Sequence, residues 1–149
     1  MLEIRKAEPA DAAVLQELYM EHLTGSPPAE PQSMEKWQSL LERLCANENY
    51  YLLVGEEGGR VVSSVTLVVI ENLTHNLRPY SVIENVVTHA GFRGRGFASA
   101  LMDEAARIAA ERGCYKIMLL TGSKRESTLK FYENCGYNLK DKTAFIRWL

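Results

Sequence analysis

Apolar residues recur along the chain at two spacings, one typical of helices and one typical of strands. Helical spacing predicts four helices, which begin near Asp11, Ser33, Phe97 and Ser123. Short runs rich in β-branched and aromatic residues predict six strands, over residues 2–7, 50–54, 61–70, 81–88, 115–121 and 143–149. Gly58-Gly59 separates the second and third runs and predicts a hairpin turn. Ser123-Lys-Arg-Glu126 has the form of a capping box for the fourth helix.

The order of these elements predicts an α/β (α+β) fold. The strands at 81–88 and 115–121 are separated by a helix, which favours a parallel pair, whereas the hairpin favours antiparallel pairing in the rest of the sheet. We therefore expect one domain over residues 1–149, with a mixed, mostly antiparallel sheet, a central parallel strand pair and helices on both faces.

The stretch from Ser81 to Ala98 joins the predicted central strand to the third helix through a loop that reads Arg93-Gly94-Arg95-Gly96. Glycines let a ligand come close to the backbone, and the first N–H groups of a helix attract anions. The two arginines add positive charge. The stretch therefore indicates an anion site, best suited to phosphate.

Two motifs, one in this loop and one in the fourth helix, point to a family. Arg-x-x-Gly-x-Ala, on Arg93, Gly96 and Ala98, is followed after the next strand by Phe-Tyr-Glu-x-x-Gly-Tyr over residues 131–137. In their order and separation they resemble the acetyl-coenzyme A signature and the C-terminal signature of the GNAT superfamily of N-acetyltransferases. The resemblance implies the GNAT fold and acetyl-CoA as co-substrate, with no metal.

The resemblance also implies where the coenzyme lies. Val86 and Val87 would pair with the pantetheine arm and donate an N–H to the thioester carbonyl. Many members carry an Asn seven residues before the motif tyrosine, where this chain has Arg125, so that contact is left open between residues 123, 124 and 125. The pyrophosphate would be held by the backbone N–H groups of Arg93, Gly94, Arg95, Gly96, Phe97 and Ala98.

The reaction needs a proton donor and a proton acceptor. By the resemblance, Tyr132 would protonate the leaving thiolate. An amine of pKa ~10.4 is only about one part in a thousand neutral at pH 7, so a proton must be removed from it. Glu84, a lone carboxylate in the apolar central strand, is the candidate, as a base, through a water, or as an anchor for the substrate's charge. Two alternatives remain: Glu84 faces solvent or pairs with a cation such as Arg5, and His89 is a rival base.

Charge and cysteine content limit the classes of partner and the cellular compartment that we expect for this protein. A net charge of −2 gives no overall attraction to nucleic acid or to anionic membranes, and the longest apolar run is far short of a membrane span. Three cysteines without CxxC spacing indicate free thiols in a reducing compartment. We therefore expect a cytoplasmic protein with neither nucleic acid nor membrane as partner. Whether it forms a homodimer is left open.

The leading interpretation is an acetyl-CoA-dependent N-acetyltransferase that transfers the acetyl group directly to a primary amine. By the resemblance, the acceptor side is built by Tyr19 to Trp37, with its Pro27-Pro28 turn, and by Asn72 to Tyr80. The first segment lacks a dense acidic run, which favours a small molecule. Two alternatives are a non-catalytic acyl-CoA sensor on the same fold and an acetyltransferase that acts on a protein amine.

Overall fold

The computed structural model describes residues 1–149 and contains a five-stranded sheet between two layers of helices. The strands are β1 (Glu3–Lys6), β2 (Tyr50–Glu57), β3 (Arg60–Ile70), β4 (Tyr80–Thr88) and β5 (Ile117–Leu119). The helices are α1 (Ala12–His22), α2 (Met34–Ala46), α3 (Phe97–Glu111) and α4 (Glu126–Asn134). The strands lie in the order β1-β2-β3-β4-β5, antiparallel except for the parallel pair β4–β5. The predicted fold class is confirmed, with the parallel pair at one edge of the sheet.

Each face of the sheet is covered by its own apolar core. Side chains alternate along a strand, so Leu52 and Val54 of β2 face α1 and α2, whereas Leu53 between them faces α3. The first core is completed by Leu15, Leu18 and Leu41 of the α1–α2 layer. The second core is centred on the fully buried Leu101, Met102 and Ala105 of α3, with Val65, Leu67 and Ile83 from the sheet.

A β-bulge interrupts β4 at Asn85. Thr66 of β3 lies opposite Glu84 and Ser64 lies opposite Val87, so the single residue Val65 faces two residues of β4. Asn85 has a φ of 52°, in the left-handed region that Asn tolerates better than most residues. The bulge reverses the alternation of side chains beyond Asn85, and it bends the end of β4 away from β5.

The structure differs from the predicted strands at the C-terminus. Residues 142–149 form no strand, and Phe145 and Trp148 are 91% and 85% exposed, so the predicted strand at 143–149 is wrong for this chain taken alone. A strand forms only where its backbone can pair with the edge of another strand, and the side-chain pattern of a segment does not guarantee such an edge. The strand at 115–121 is likewise shorter than predicted and spans only Ile117–Leu119.

The predicted capping box is also wrong. α4 begins at Glu126 with Arg125 as its N-cap residue, and no side chain caps the helix. The hydroxyl of Ser123 instead accepts the backbone N–H of Arg125 at 3.3 Å and lies 3.1 Å from the hydroxyl of Thr128. Serine side chains make such local hydrogen bonds readily, which is why the motif alone does not fix the first residue of a helix.

None of the helices is both long enough and apolar enough to cross a bilayer.

Candidate functional site

A cleft of 440 Å³ opens where β4 and β5 separate. Their pairing ends with Ile83 opposite Leu119, although β4 continues to Thr88, so one edge of β4 has no strand partner beyond Ile83. The walls include Leu23, at the end of α1, and Tyr132 of α4. These two residues belong to the helical layers on opposite faces of the sheet, so the cleft can be approached from both faces.

A smaller groove of 260 Å³ lies between β1, β2 and α3. Its charged side chains already bind one another: Arg107 forms ion pairs with Glu104 and Glu111, and Arg112 donates to the Tyr51 hydroxyl. None of the predicted site residues lines this groove. The cleft between β4 and β5 is therefore the better candidate for the site.

The loop that follows β4 presents a row of unused backbone N–H groups. The six groups from Gly94 to Ser99 donate to no acceptor in the protein, and the first to do so is Ala100, which donates to the Gly96 carbonyl at 3.0 Å. Gly94 and Gly96 have φ values of 74° and 80°, which favour glycine, and no protein atom lies within 4 Å of where a Cβ would stand at either. An anion can therefore approach this backbone closely at the positive end of α3.

Both arginines of the loop are held by other protein groups. The Arg93 guanidinium donates from Nε to the Thr88 carbonyl at 3.1 Å and from Nη2 to the His22 carbonyl at 3.2 Å. Arg95 forms an ion pair with Glu57 at 2.7 Å and lies over the ring of Phe97. The expectation that these two charges simply add to the anion site needs revision, because they brace the loop against α1 and β2.

Two histidines support the same loop from the side of α1. His22 Nδ1 accepts the backbone N–H of Ala90 at 3.4 Å, His89 Nδ1 accepts that of Gly91 at 3.1 Å, and the ring centroids lie 4.2 Å apart. Both nitrogens must be unprotonated to accept. Partial burial lowers the pKa of His89, and the neighbouring His22 and Arg60 lower it further. His89, the rival base, thus has a role in holding the loop and does not line the cleft.

Tyr132 lies in the cleft wall with its hydroxyl free. The ring packs against Phe131 and the second core, and the hydroxyl makes no hydrogen bond within the protein. Burial raises the pKa of Tyr132, and the negative charges of Cys135 and Glu84 contribute to the rise. The phenol therefore stays protonated at neutral pH, as a proton donor requires.

Glu84 lines the cleft from the opposite face of the sheet. It is paired in register with Thr66, which faces the α1–α2 core beside Leu52. Glu84 is exposed and forms no ion pair, so of the alternatives left open it faces solvent at the cleft wall. The alternative partner, Arg5, is also excluded, because its guanidinium binds Asp11 at 2.7 Å and Glu56 at 3.0 Å.

The cleft contains functional candidates that sequence reasoning did not single out. Asn85, Thr121 and Thr128 line it, together with Ser123. Arg125, at the position where the family usually has Asn, does not, so the two neighbouring hydroxyls of Ser123 and Thr128 occupy that wall instead. Of the region from Tyr19 to Trp37 only Leu23 lines the cleft, and none of residues 72–80 does. The Tyr19 hydroxyl lies instead 3.3 Å from that of Ser64.

Comparison with known proteins agrees with this geometry. Residues 13–137 match the model of the acetyltransferase (GNAT) family. A glucosamine 6-phosphate N-acetyltransferase of Trypanosoma brucei brucei is 30% identical over 141 residues, which cover 95% of this chain and 92% of the relative. Among solved structures, a putative acetyltransferase from Agrobacterium tumefaciens superposes with a TM-score of 0.88 at 36% identity, covering 98% and 99% of the two chains. A transcriptional regulator from Bacillus halodurans superposes with a TM-score of 0.87 at 26% identity, covering 99% and 100%.

The fold and the cleft define a protein whose sheet opens between β4 and β5, beside a row of free backbone N–H groups at the start of α3. With the matches above, they show that the chain belongs to the GNAT acetyltransferase family. It is an N-acetyltransferase that uses acetyl-CoA as its co-substrate.

The unused N–H row generates a first prediction. Ala98→Glu places a carboxylate in the first turn of α3, where it competes with a ligand phosphate for the free N–H groups. We expect acetyl-CoA to bind roughly tenfold more weakly or worse, a difference of about 1.4 kcal/mol, by titration calorimetry. The melting temperature should not fall, since an acidic residue at this position favours the helix. The matched control is Ala106→Glu, on the exposed face of the same helix, and equal affinities for the two variants would contradict the assignment.

The histidine pair generates a second prediction, on pH. The folded loop binds His89 in its neutral form, so the bond to Gly91 is present above the ordinary histidine pKa of ~6.5 and is lost as the pH falls through the lowered folded value. Acetyl-CoA affinity should therefore decline on the acid side. In His89→Asn the side-chain oxygen can accept the same N–H without titrating, so the decline should flatten. His75→Asn, in the β3–β4 connection, is the control, and a decline as steep in His89→Asn as in the control would contradict this role.

Proposed function

We propose that the protein transfers the acetyl group of acetyl-CoA directly to the primary amine of a small molecule. The observation that carries this proposal is the placement of Tyr132 and Glu84 on opposite faces of the sheet beside one cleft. An attacking amine and a departing thiolate must lie on opposite sides of the thioester carbonyl. A proton donor on one side and a proton acceptor on the other meet that requirement without an acyl-enzyme.

The coenzyme would occupy the side of the cleft that faces α3 and α4. Its pyrophosphate would lie on the free N–H groups at the start of α3, between Arg93 and Ala98. The pantetheine arm is an extended amide chain, and the unpaired edge of β4 past Ile83 offers it backbone groups at strand spacing. Val86 and Val87 lie on this edge, where an N–H can meet the thioester oxygen and stabilise the negative charge that develops on it.

The acceptor would enter from the α1–α2 face, where Glu84 lies. The carboxylate takes a proton from the ammonium group, and the neutral nitrogen then attacks the carbonyl carbon. As the C–N bond forms, the C–S bond breaks, and the Tyr132 hydroxyl gives its proton to the thiolate. A second proton leaves the new amide nitrogen to solvent, and Tyr132 and Glu84 return to their starting states through exchange with water.

The surroundings of Glu84 favour a small polar acceptor. Tyr50, half-buried, and Thr66, buried, flank it on the same face, and the Thr66 hydroxyl has no hydrogen-bond partner. Burial raises the pKa of Tyr50, and the charge of Glu84 adds to this rise, so the phenol stays a donor. The relatives in Trypanosoma brucei brucei and Oryza sativa are named glucosamine 6-phosphate N-acetyltransferases, which makes an amino sugar phosphate the first acceptor to try. Three free cysteines suit the reducing cytoplasm as the compartment.

A panel of acceptors tests this function. Thiol release from acetyl-CoA is followed with glucosamine 6-phosphate, glucosamine, other primary amines and a lysine-containing peptide. We expect turnover with one or more of the small amines and none above background with the peptide. Turnover on the peptide alone would instead favour an acetyltransferase that acts on protein amines. Binding of acetyl-CoA without turnover on any amine would favour a sensor.

Two isosteric substitutions then separate the proposed roles. With a substrate in hand and acetyl-CoA saturating, Tyr132→Phe should lower kcat by ~10²–10⁴-fold with unchanged coenzyme affinity, because it removes only the proton. Glu84→Gln should lower kcat/KM for the amine and remove the acidic limb that the carboxylate gives to the pH profile.

Each substitution has a matched control. Tyr137→Phe removes a buried hydroxyl without a partner from the same core, and Glu71→Gln neutralises an exposed carboxylate outside the cleft. Both controls should turn over like the wild type. A loss of less than about threefold in Tyr132→Phe would indicate that the ring serves packing alone. An unchanged pH profile in Glu84→Gln would indicate that solvent, and not Glu84, accepts the proton of the amine.

A further inference from the structure

Glu84 gives the cleft a negative charge that the protein does not neutralise. Twelve residues line the cleft, and Glu84 is the one charged side chain among them. Its carboxylate is exposed at the wall and takes part in none of the ion pairs of the chain. Lys124 and Arg125 follow Ser123 in the chain, but neither lines the cleft. A ligand that enters therefore meets a single negative charge in an otherwise uncharged site.

The polar character of the α1–α2 face around Glu84 comes from hydroxyl groups. Thr66 lies opposite Glu84 in the sheet, and its hydroxyl is buried without a hydrogen-bond partner. Tyr50 lies on the same face of β2, and the Tyr19 hydroxyl is 3.3 Å from that of Ser64. Burial raises the pKa of Tyr19 and the pKa of Tyr50, so both phenols are uncharged at neutral pH. The acceptor side thus combines one carboxylate with neutral hydroxyls.

The cations on this side of the sheet are bound to other protein groups. Arg60 forms an ion pair with Glu17 at 3.1 Å, and Lys36 donates to the side chain of Gln32 at 3.0 Å. Arg93 donates to two backbone carbonyls. None of these three cations lines the cleft. A phosphate or carboxylate on an acceptor would therefore face Glu84 with no cation beside it.

We propose that the site selects primary amines whose other polar groups are hydroxyls, because the charge of Glu84 disfavours acceptors that carry a phosphate or a carboxylate. The carboxylate attracts the ammonium group and repels an anion on the same molecule. The phosphates of a bound coenzyme add negative charge nearby and strengthen the repulsion. This inference rests on the proposed function, since it concerns the amine that would enter from the α1–α2 face. Glucosamine should therefore be a better acceptor than glucosamine 6-phosphate.

Pairs of acceptors that differ in one anionic group test this selectivity. Glucosamine is compared with its 6-phosphate, and 2-amino-1,3-propanediol is compared with serine, by calorimetry on the protein saturated with coenzyme A. The member of each pair without the anionic group should bind at least tenfold more tightly at low salt. Because salt screens exposed charges, this ratio should narrow in about 0.5 M NaCl, which a purely steric preference would not do.

Two substitutions change the charge of the cleft. Leu120→Lys places a cation at the cleft wall, where Leu120 is 54% exposed, and it should abolish or reverse the preference. Glu84→Gln removes the negative charge and should reduce the preference in binding. The matched control is Leu139→Lys, on a leucine that is 65% exposed and does not line the cleft, and it should bind both members of each pair like the wild type. Circular dichroism establishes that each variant is folded.

Equal or tighter binding of the anionic member in either pair overturns the inference, and so does a preference that Leu120→Lys leaves unchanged. A failure of all four compounds to bind overturns it as well. Thiol release separates this selectivity from the proposed function. Turnover that is faster with the anionic members overturns the selectivity and supports acetyl transfer to an amine. The expected binding preference without any thiol release supports the selectivity and contradicts the proposed function.

Discussion

The bulge at Asn85 is the constraint on which the site depends. Parallel strands of equal length would pair along their whole extent, and β4 and β5 would leave no space between them. One extra residue opposite Val65 bends β4 where its pairing with β5 stops, at Ile83. The bend produces the cleft, and it frees the edge of β4 for an extended ligand. The same extra residue shifts the alternation of side chains, so Glu84 and Val86 face different layers.

The positively charged side chains at this site hold the backbone of the loop before α3 in place more than they bind anions directly. The guanidinium groups of Arg93 and Arg95 donate hydrogen bonds to Thr88, His22 and Glu57. The histidine pair accepts two further N–H groups of the loop. What remains for a phosphate is the row of N–H groups at the start of α3. Such groups are fixed before the ligand arrives, so they cost little ordering on binding.

Local patterns predicted the elements, whereas long-range pairings decided the details. The glycine loop at the start of α3 and the motif around Tyr132 depend on local features, turn geometry and helix spacing. Both could therefore be predicted from the sequence. Glu57, which neutralises Arg95, stands 38 residues away from it, and no spacing rule connects them. The exposure of Glu84 could not be read from the sequence for a related reason: apolar neighbours in a strand do not show that the strand loses its partner at that residue. The bulge had only a weak signal, an Asn within a β-branched run.

The segment at 143–149 forms no strand, and the outer edge of β5 pairs with no strand. Strand periodicity in that segment describes what its side chains require, but a strand exists only where an edge accepts it. The chain has such an edge at β5, beside its cleft, and residues 143–149 do not pair with it. A side-chain pattern that predicts a strand therefore does not by itself produce one, because the backbone N–H and C=O groups of the segment must also find partners.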